Sequence, residues 1–217
     1  MVEPRPAATV ILLRDGSAGP EVWLMERNRA VGFMASAWVF PGGRVDAADA
    51  GEGPPHDPPR SFWTAAAREL REEAGVDVPI AAMRPWAHWI TPEVEPRRYD
   101  TWFFAARLPE GAEPVADGSE AVAGRWIRPE DGIRQAYAGE LPVAPPTLRC
   151  LMELLAYESV AAVLAAERVT PPICPRFATG ADGELYVLLP GDPEHPSPDR
   201  VEPPHRYVFG AGRWWNR

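Results

Sequence analysis

Cysteine is nearly absent. The 217 residues hold two, Cys150 and Cys174, with neither metal-ligand nor redox spacing, which excludes a disulfide framework and fits a reducing compartment. Long hydrophobic runs are missing too. No stretch reaches the roughly 18 apolar residues of a membrane span, and the opening Met-Val-Glu-Pro-Arg-Pro has no apolar signal region. The closing Trp-Trp-Asn-Arg is neither a peroxisomal nor a retention address, so the expected location is cytoplasmic. Positive charge is in short supply: 22 Lys and Arg stand against 31 Asp and Glu, for a net charge of −9 and a pI near 5.0. No basic cluster interleaves with aromatics, which excludes polymeric DNA or RNA as partner. A small phosphorylated molecule stays compatible, because a metal can supply positive charge locally.

Proline is abundant. Its 27 copies imply ordered turns and long connections rather than extra helix. Hydrophobic content of 46% and charged content of 24% are ordinary for a globular chain, and the length is enough for a substantial core. Residues 7–14 read as a buried strand, turned by Asp15-Gly16 into a hairpin partner at 21–27. A loop, 28–36, leads to a short strand at 38–40 and to Pro41-Gly42-Gly43, a tight turn where backbone can approach a ligand. Residues 47–60 read as a surface loop. Residues 83–91 and 99–108 read as antiparallel strands, 124–127 as a strand, 130–138 as a short helix, and Thr147 to Glu167 as one long helix announced by Pro145-Pro146. Beyond Pro171-Pro172, residues 184–189 and 205–213 read as two strands, either a hairpin packed on the domain or an arm in dimer contact. The expected organisation is one domain, 1–170, with a C-terminal extension, 171–217.

Residues 61–76 carry the chemistry. They read as a helix with Ser61 as N-cap and Gly75 as stop. Phe62, Ala66 and Leu70 form its apolar stripe. Glu69, Glu72 and Glu73 stand at i, i+3 and i+4, so three carboxylates share a face. Like charges at this spacing cost roughly 0.2–0.5 kcal/mol per pair, and the last turn adds the negative end of the helix dipole. A solvated acidic helix end is one reading. The other is a hard divalent cation, which takes one or two carboxylates plus substrate phosphates.

The segment upstream decides between them. A strand, Pro-Gly-Gly, an acidic loop and a helix bearing Arg-Glu-Leu-Arg-Glu-Glu-Ala-Gly-Val resemble the Nudix hydrolase family, whose box is Gly-x5-Glu-x7-Arg-Glu-U-x-Glu-Glu-x-Gly-U, U being aliphatic. Gly43 fits the first position, and Arg68, Glu69, Leu70, Glu72, Glu73, Gly75 and Val76 fill the second half. Two positions depart. Asp49 stands where the box has glutamate, which puts its role in doubt, and the spacer runs for eighteen residues, Ala50 to Ala67, eleven more than the box. The insertion falls in a predicted loop, where extra length costs little.

The resemblance implies an α+β fold, an α/β/α sandwich around a mixed β-sheet, here with a C-terminal β extension. It implies hydrolysis of a diphosphate linked to another moiety, with Mg²⁺ or Mn²⁺ held by Glu69, Glu72 and Glu73 and the Gly42 carbonyl as a further ligand. Arg68 is expected to hold a glutamate by a charge-assisted bond, the alternative being a surface ion pair. The general base is expected either outside the box, at Glu120, or at Glu72 or Glu73. A non-catalytic nucleotide-binding module is the competing class; loss of box glutamates would mark it, and here all three are present.

Three stretches bear on the substrate: Phe33 to Asp46; Trp89-Ile90-Thr91-Pro92 with Arg97 to Phe104; and Ala144-Pro145-Pro146-Thr147. With the stretched box they resemble the peroxisomal-type coenzyme A diphosphatases and their bacterial relatives, which implies cleavage of coenzyme A or acyl-CoA to 3′,5′-ADP and (acyl-)4′-phosphopantetheine. ADP-ribose, NADH, dinucleoside polyphosphates and nucleoside triphosphates are the rivals. Gly43, Arg44, Arg97 and Arg98 are the expected substrate-binding residues, with Arg27 and Arg29 as weaker candidates. Trp86, Trp89 and Trp102 are either adenine-stacking residues or core. His88 and His56 are expected to be structural or solvated. A homodimer, with Trp214-Trp215 in the contact, is a further expectation.

Overall fold

The computed structural model describes residues 2–30, 36–50, 57–180, 183–197 and 199–216. Phe33, Met34, Ala35 and His56, together with residues 51–55 of the insertion, lie outside them.

Two strands lead: β1 (Arg5–Gly16) and β2 (Gly19–Arg27) form the expected hairpin. Then come β3 (Trp38–Val39), β4 (Gly42–Arg44), α1 (Arg60–Ala74), β5 (Arg84–Ile90), β6 (Tyr99–Arg107), β7 (Ala121–Ile127) and α2 (Pro129–Ala138). The main sheet runs β3-β2-β1-β6-β5, with β4 on β1 and β7 on β2. It is mixed, because β1 lies parallel to β6 and antiparallel to β2. Period-2 alternation sends each strand's side chains to two cores. Ala8, Val10, Leu12, Phe104 and Ala106 pack under α1, against Phe62, Ala66 and Leu70. Ile11, Leu13, Val22, Phe103 and Ala105 face the opposite side, where α2 and the later elements cover them. A sheet apolar on both faces needs a layer on each, and an α/β/α sandwich follows.

Several elements differ from expectation. Pro59, not Ser61, holds the N-cap position of α1, and Ser61 is its second residue; the expected stop is present, Gly75 being left-handed at φ 67°. Pro-Gly-Gly is more than a turn, because Gly42 to Arg44 pairs with Thr9 to Ala7 as a strand. The expected helix from Thr147 to Glu167 is two, α3 (Pro145–Leu154) and α4 (Val160–Ala165). Ser159 separates them: its hydroxyl accepts the Ala162 N–H at 3.2 Å, while the Val160 N–H donates to Asp15 on β1 at 2.7 Å. An N-cap and a long-range carboxylate thus outweigh the continuous apolar pattern.

The extension is also richer than two strands. β8 (Pro172–Ile173) adds in parallel to β5. β9 (Arg176–Thr179), β10 (Leu185–Leu188), β11 (Arg206–Gly210) and β12 (Arg213–Asn216) form a second, antiparallel sheet. Val187, Leu189, Val201 and Tyr207 are buried in the same core as Trp86 and Ile11. Buried Arg149 on α3 fastens the segment, donating to the carbonyls of Pro204 at 3.0 Å and Glu202 at 2.7 Å. Tyr137 on α2 donates to Asn216 on β12. Trp214 packs on the main core and against Phe209; Trp215 packs with Val208 in a small outer cluster.

Candidate active site

Four elements build the site: β4, the turn at Asp46 to Asp49, α1, and the turn before β7. Pairing to β1 fixes the position of Gly42 and Gly43. Neither position has room for a side chain. A Cβ on Gly42 would lie 2.4 Å from the Ala8 carbonyl oxygen, and one on Gly43 would lie 2.5 Å from Oε1 of Glu69. The second contact places the Glu69 carboxylate flush against the β4 backbone. Glu73 is anchored one residue earlier, accepting the Gly42 N–H at 2.7 Å.

Arg68 organises the outer side of the cluster. It donates to Asp49 through Nε (3.1 Å) and Nη2 (2.9 Å), to Glu69 (2.8 Å) and Glu72 (3.0 Å) through Nη1, and to the Arg44 carbonyl (2.9 Å). All five guanidinium protons have acceptors. Asp49 is 1% exposed and also accepts the Asp46 N–H at 2.8 Å. Its burial works to raise its pKa, yet the Arg68 pair and the Asp46 N–H hold it below the ordinary carboxylate range. Arg68 is held charged mainly by its bond to Asp49. The doubt about Asp49 therefore resolves into a structural role: it holds the arginine, which in turn orients Glu69 and Glu72.

Burial pushes the Glu73 carboxyl up to about 7, with Glu69 and Glu120 adding to it while the Gly42 N–H and Arg27 oppose it. Glu69 is raised too, again first by burial and then by Glu72 and Glu120 against the Arg68 pair. Glu120 is thus close enough to act on both half-buried Glu69 and buried Glu73. It is exposed, on a turn held by Asp117, whose carboxylate accepts the Glu120 and Ala121 N–H groups. Asn28 clamps the same turn through the carbonyls of Ser119 and Glu120.

These oxygens suit a hard divalent cation. Two carboxylates carry raised proton affinity in a partly dry site, where a positive charge is the natural counterpart. Among the described residues no three His, Cys, Asp or Glu side chains are placed together so as to hold a metal ion: Glu72 is turned to Arg68 and Glu73 to Gly42. The carboxylates beside the β4 backbone still offer the hard oxygen donors that a divalent cation takes together with water and substrate phosphates.

A cavity of about 310 Å³ adjoins Gly42. Val39 and Phe40, Trp89 to Pro92, and Ala144 to Thr147 all line it, so the described parts of the three stretches meet here. The extension supplies another wall: Pro175, Phe177, Val187 and Trp214. Arg27 is the one arginine of the lining among the described residues, and its buried Nε has no partner.

The other expected residues distribute unevenly. Arg98 is buried and donates to the carbonyls of Thr91 (3.0 Å) and Val2 (2.8 Å). That commits its guanidinium to holding the chain start, which corrects its expected substrate-binding role. Arg44 and Arg97 are exposed and do not line the cavity. Exposed Arg29 bonds Ser36 at 3.1 Å. Of Trp86, Trp89 and Trp102, Trp89 alone lines the cavity; Trp86 is buried beneath Arg168, and Trp102 stacks on His88. His88 pairs with Asp100 at 2.5 Å. Arg27, the weaker candidate by sequence, is the expected arginine that lines the cavity. Its signal was its place at the end of a strand leading to the glycine turn.

The NUDIX domain family model matches residues 3–145. A protein named "Putative nudix hydrolase 7" from Caenorhabditis elegans is 28% identical over 242 positions, covering 94% of this chain and 79% of the relative. A NUDIX hydrolase from Alicyclobacillus acidocaldarius superposes with a TM-score of 0.71 at 24% identity, over 79% of this chain and all (100%) of that one. The NUDIX domain of Shewanella oneidensis NrtR, solved with ADP ribose, superposes with a TM-score of 0.52 at 14% identity, over 71% and 90% of the chains. Those superpositions speak for the fold; the family model, which spans well over half of the sequence, shows that the chain belongs to the Nudix hydrolase family.

Proposed function

We propose that this Nudix hydrolase cleaves the diphosphate of coenzyme A or an acyl-coenzyme A, giving 3′,5′-ADP and (acyl-)4′-phosphopantetheine. The observation that carries the reading is the apolar cavity beside Gly42, next to the carboxylate cluster. A diphosphate held at the carboxylates can send an apolar arm into it. A dinucleoside polyphosphate would need a second polar, cationic pocket, and Arg27 alone does not provide one.

Glu69, Glu72, Glu73 and the Gly42 carbonyl would hold a divalent cation, which would supply the positive charge that a diphosphate and an attacking water require. The chain's own residues do the rest. Arg68 and Asp49 keep Glu69 and Glu72 oriented. Arg27 faces the cavity and offers a charge-assisted contact to a phosphate oxygen. Glu120 is the better base, because a cation would take up Glu69, Glu72 and Glu73, whereas Glu120 is exposed on its own turn beside them. It accepts the proton of the water whose oxygen attacks phosphorus, and the bridging P–O bond breaks with its electrons leaving on the second phosphate.

The test is hydrolysis of coenzyme A, ADP-ribose, NADH, diadenosine polyphosphates and a nucleoside triphosphate with Mg²⁺ or Mn²⁺, products identified by mass. Coenzyme A is expected to lead. ADP-ribose turned over orders of magnitude faster would overturn the substrate assignment.

A further inference from the structure

The second sheet has one face turned to the cavity. Cross-strand partners share a face, and so do residues two apart on a strand. Phe177 pairs with Val187, Val187 with Tyr207, Leu185 with Phe209, and Phe209 with Trp214. These six side chains therefore form one apolar surface. Phe177, Val187 and Trp214 line the cavity, and Tyr207 is buried in the core. The surface continues outward. Trp214 contacts Phe209 with ring centroids 4.8 Å apart, and Phe209 and Leu185 are each 36% exposed. An apolar track thus starts beside Gly42 and ends in solvent.

The cavity itself selects what enters. Its lining has one arginine among the described residues, so a phosphorylated ribose would be poorly neutralised there. Building on the coenzyme A reading above, we propose that the C-terminal sheet is a specificity element. Phe177, Val187 and Trp214 bound a subsite for the acyl-pantetheine arm, and Phe209 and Leu185 carry a longer acyl chain outward, so acyl thioesters are preferred to free coenzyme A. Residues beyond the 3–145 family match thereby set which substrate is taken.

The experiment is calorimetric binding to the full chain in EDTA, so that nothing turns over, with coenzyme A, acetyl-CoA, octanoyl-CoA, dodecanoyl-CoA and 3′,5′-ADP. A fully buried methylene is worth roughly fourfold in affinity, so octanoyl-CoA should bind at least tenfold tighter than acetyl-CoA. Val187→Trp, which fills the cavity, should weaken octanoyl-CoA at least tenfold more than 3′,5′-ADP. Phe209→Ser alters only a half-exposed side chain; it should erase the gain from octanoyl to dodecanoyl even if Val187→Trp fails to fold. Flat affinity across the acyl series would overturn the proposal, as would equal weakening of octanoyl-CoA and 3′,5′-ADP, which would put the nucleotide in the cavity. Hydrolysis separates the two levels. Coenzyme A turned over without chain-length dependence sinks only the arm subsite, whereas ADP-ribose turned over with coenzyme A untouched sinks the functional reading as well.

Discussion

Arg68 meets Asp49 through two parallel hydrogen bonds, Nε to Oδ1 at 3.1 Å and Nη2 to Oδ2 at 2.9 Å. The residues are nineteen apart and the insertion lies between them, so the fork closes that loop onto the helix. Removing Asp49 leaves a guanidinium without its main counter-charge. A broken buried pair costs about 3–5 kcal/mol, and Arg68 keeps 20% side-chain exposure, which puts Asp49→Ala near the low end. Denaturant unfolding should show that loss. Diphosphatase activity should fall as well, because Glu69 and Glu72 lose their orienting donor. Unchanged stability would show that the fork contributes little.

The two glycines of the turn should fail in different ways. On Gly42 a Cβ would strike backbone, 2.4 Å from the Ala8 carbonyl and 2.6 Å from the Thr9 Cα. β1 and β4 must then separate, so Gly42→Ala should destabilise by about 1–3 kcal/mol or more. On Gly43 the Cβ would strike the end of the Glu69 side chain, which can swing away. Gly43→Ala should therefore keep most of its melting temperature and lose activity about 10²-fold, the usual cost of misplacing a reacting group by an ångström. Paired melting and kinetic measurements check the contrast, and two equal losses of stability would refute it.

Much of the site could be read along the chain because the helix carries it on a local period. Glu69, Glu72 and Glu73 share a face by spacing alone, and the apolar stripe of Phe62, Ala66 and Leu70 told which side of α1 is buried. What escaped was set by contacts far apart in sequence. Arg27 and Arg98 look equivalent as arginines beside loops, and only burial shows that Arg98 is committed to carbonyls while Arg27 meets the cavity. The break between α3 and α4 depends on Asp15, 145 residues from Val160. The cavity wall supplied by Phe177, Val187 and Trp214 follows from how the extension docks, which no local pattern encodes.

Among the described residues Glu120 makes no ion pair, whereas Glu69 and Glu72 both meet Arg68, and its charge acts on both Glu69 and Glu73. General-base catalysis contributes about 10²–10⁴-fold. Glu120→Gln should lower kcat by that order and change KM little, with the fold intact because the side chain is exposed. Asn28→Ala should give a smaller loss, since it loosens the turn that presents Glu120 without removing the carboxylate. Full activity of Glu120→Gln would move the base to the α1 glutamates.

Glu73 ties stability to pH and to metal. Its carboxyl is raised from the ordinary 4.5 to about 7, so between those values the folded chain binds a proton that the unfolded chain has released. Stability from this group is fully present below about 4.5 and is lost as pH rises through about 7. A displacement of that size corresponds to about 3 kcal/mol. In EDTA the wild type should therefore melt lower at pH 8 than at pH 5.5. Glu73→Gln keeps an acceptor for the Gly42 N–H but has no charge to desolvate, so its melting temperature should vary less over that range and exceed that of the wild type at pH 8. Mg²⁺ should reverse the order. At 100 times its Kd a ligand stabilises by about 2.7 kcal/mol, a gain available to the wild type at pH 8 and much reduced in the variant. Equal responses of the two proteins to Mg²⁺ would mean that Glu73 is not among the metal ligands, whatever the pH profile shows.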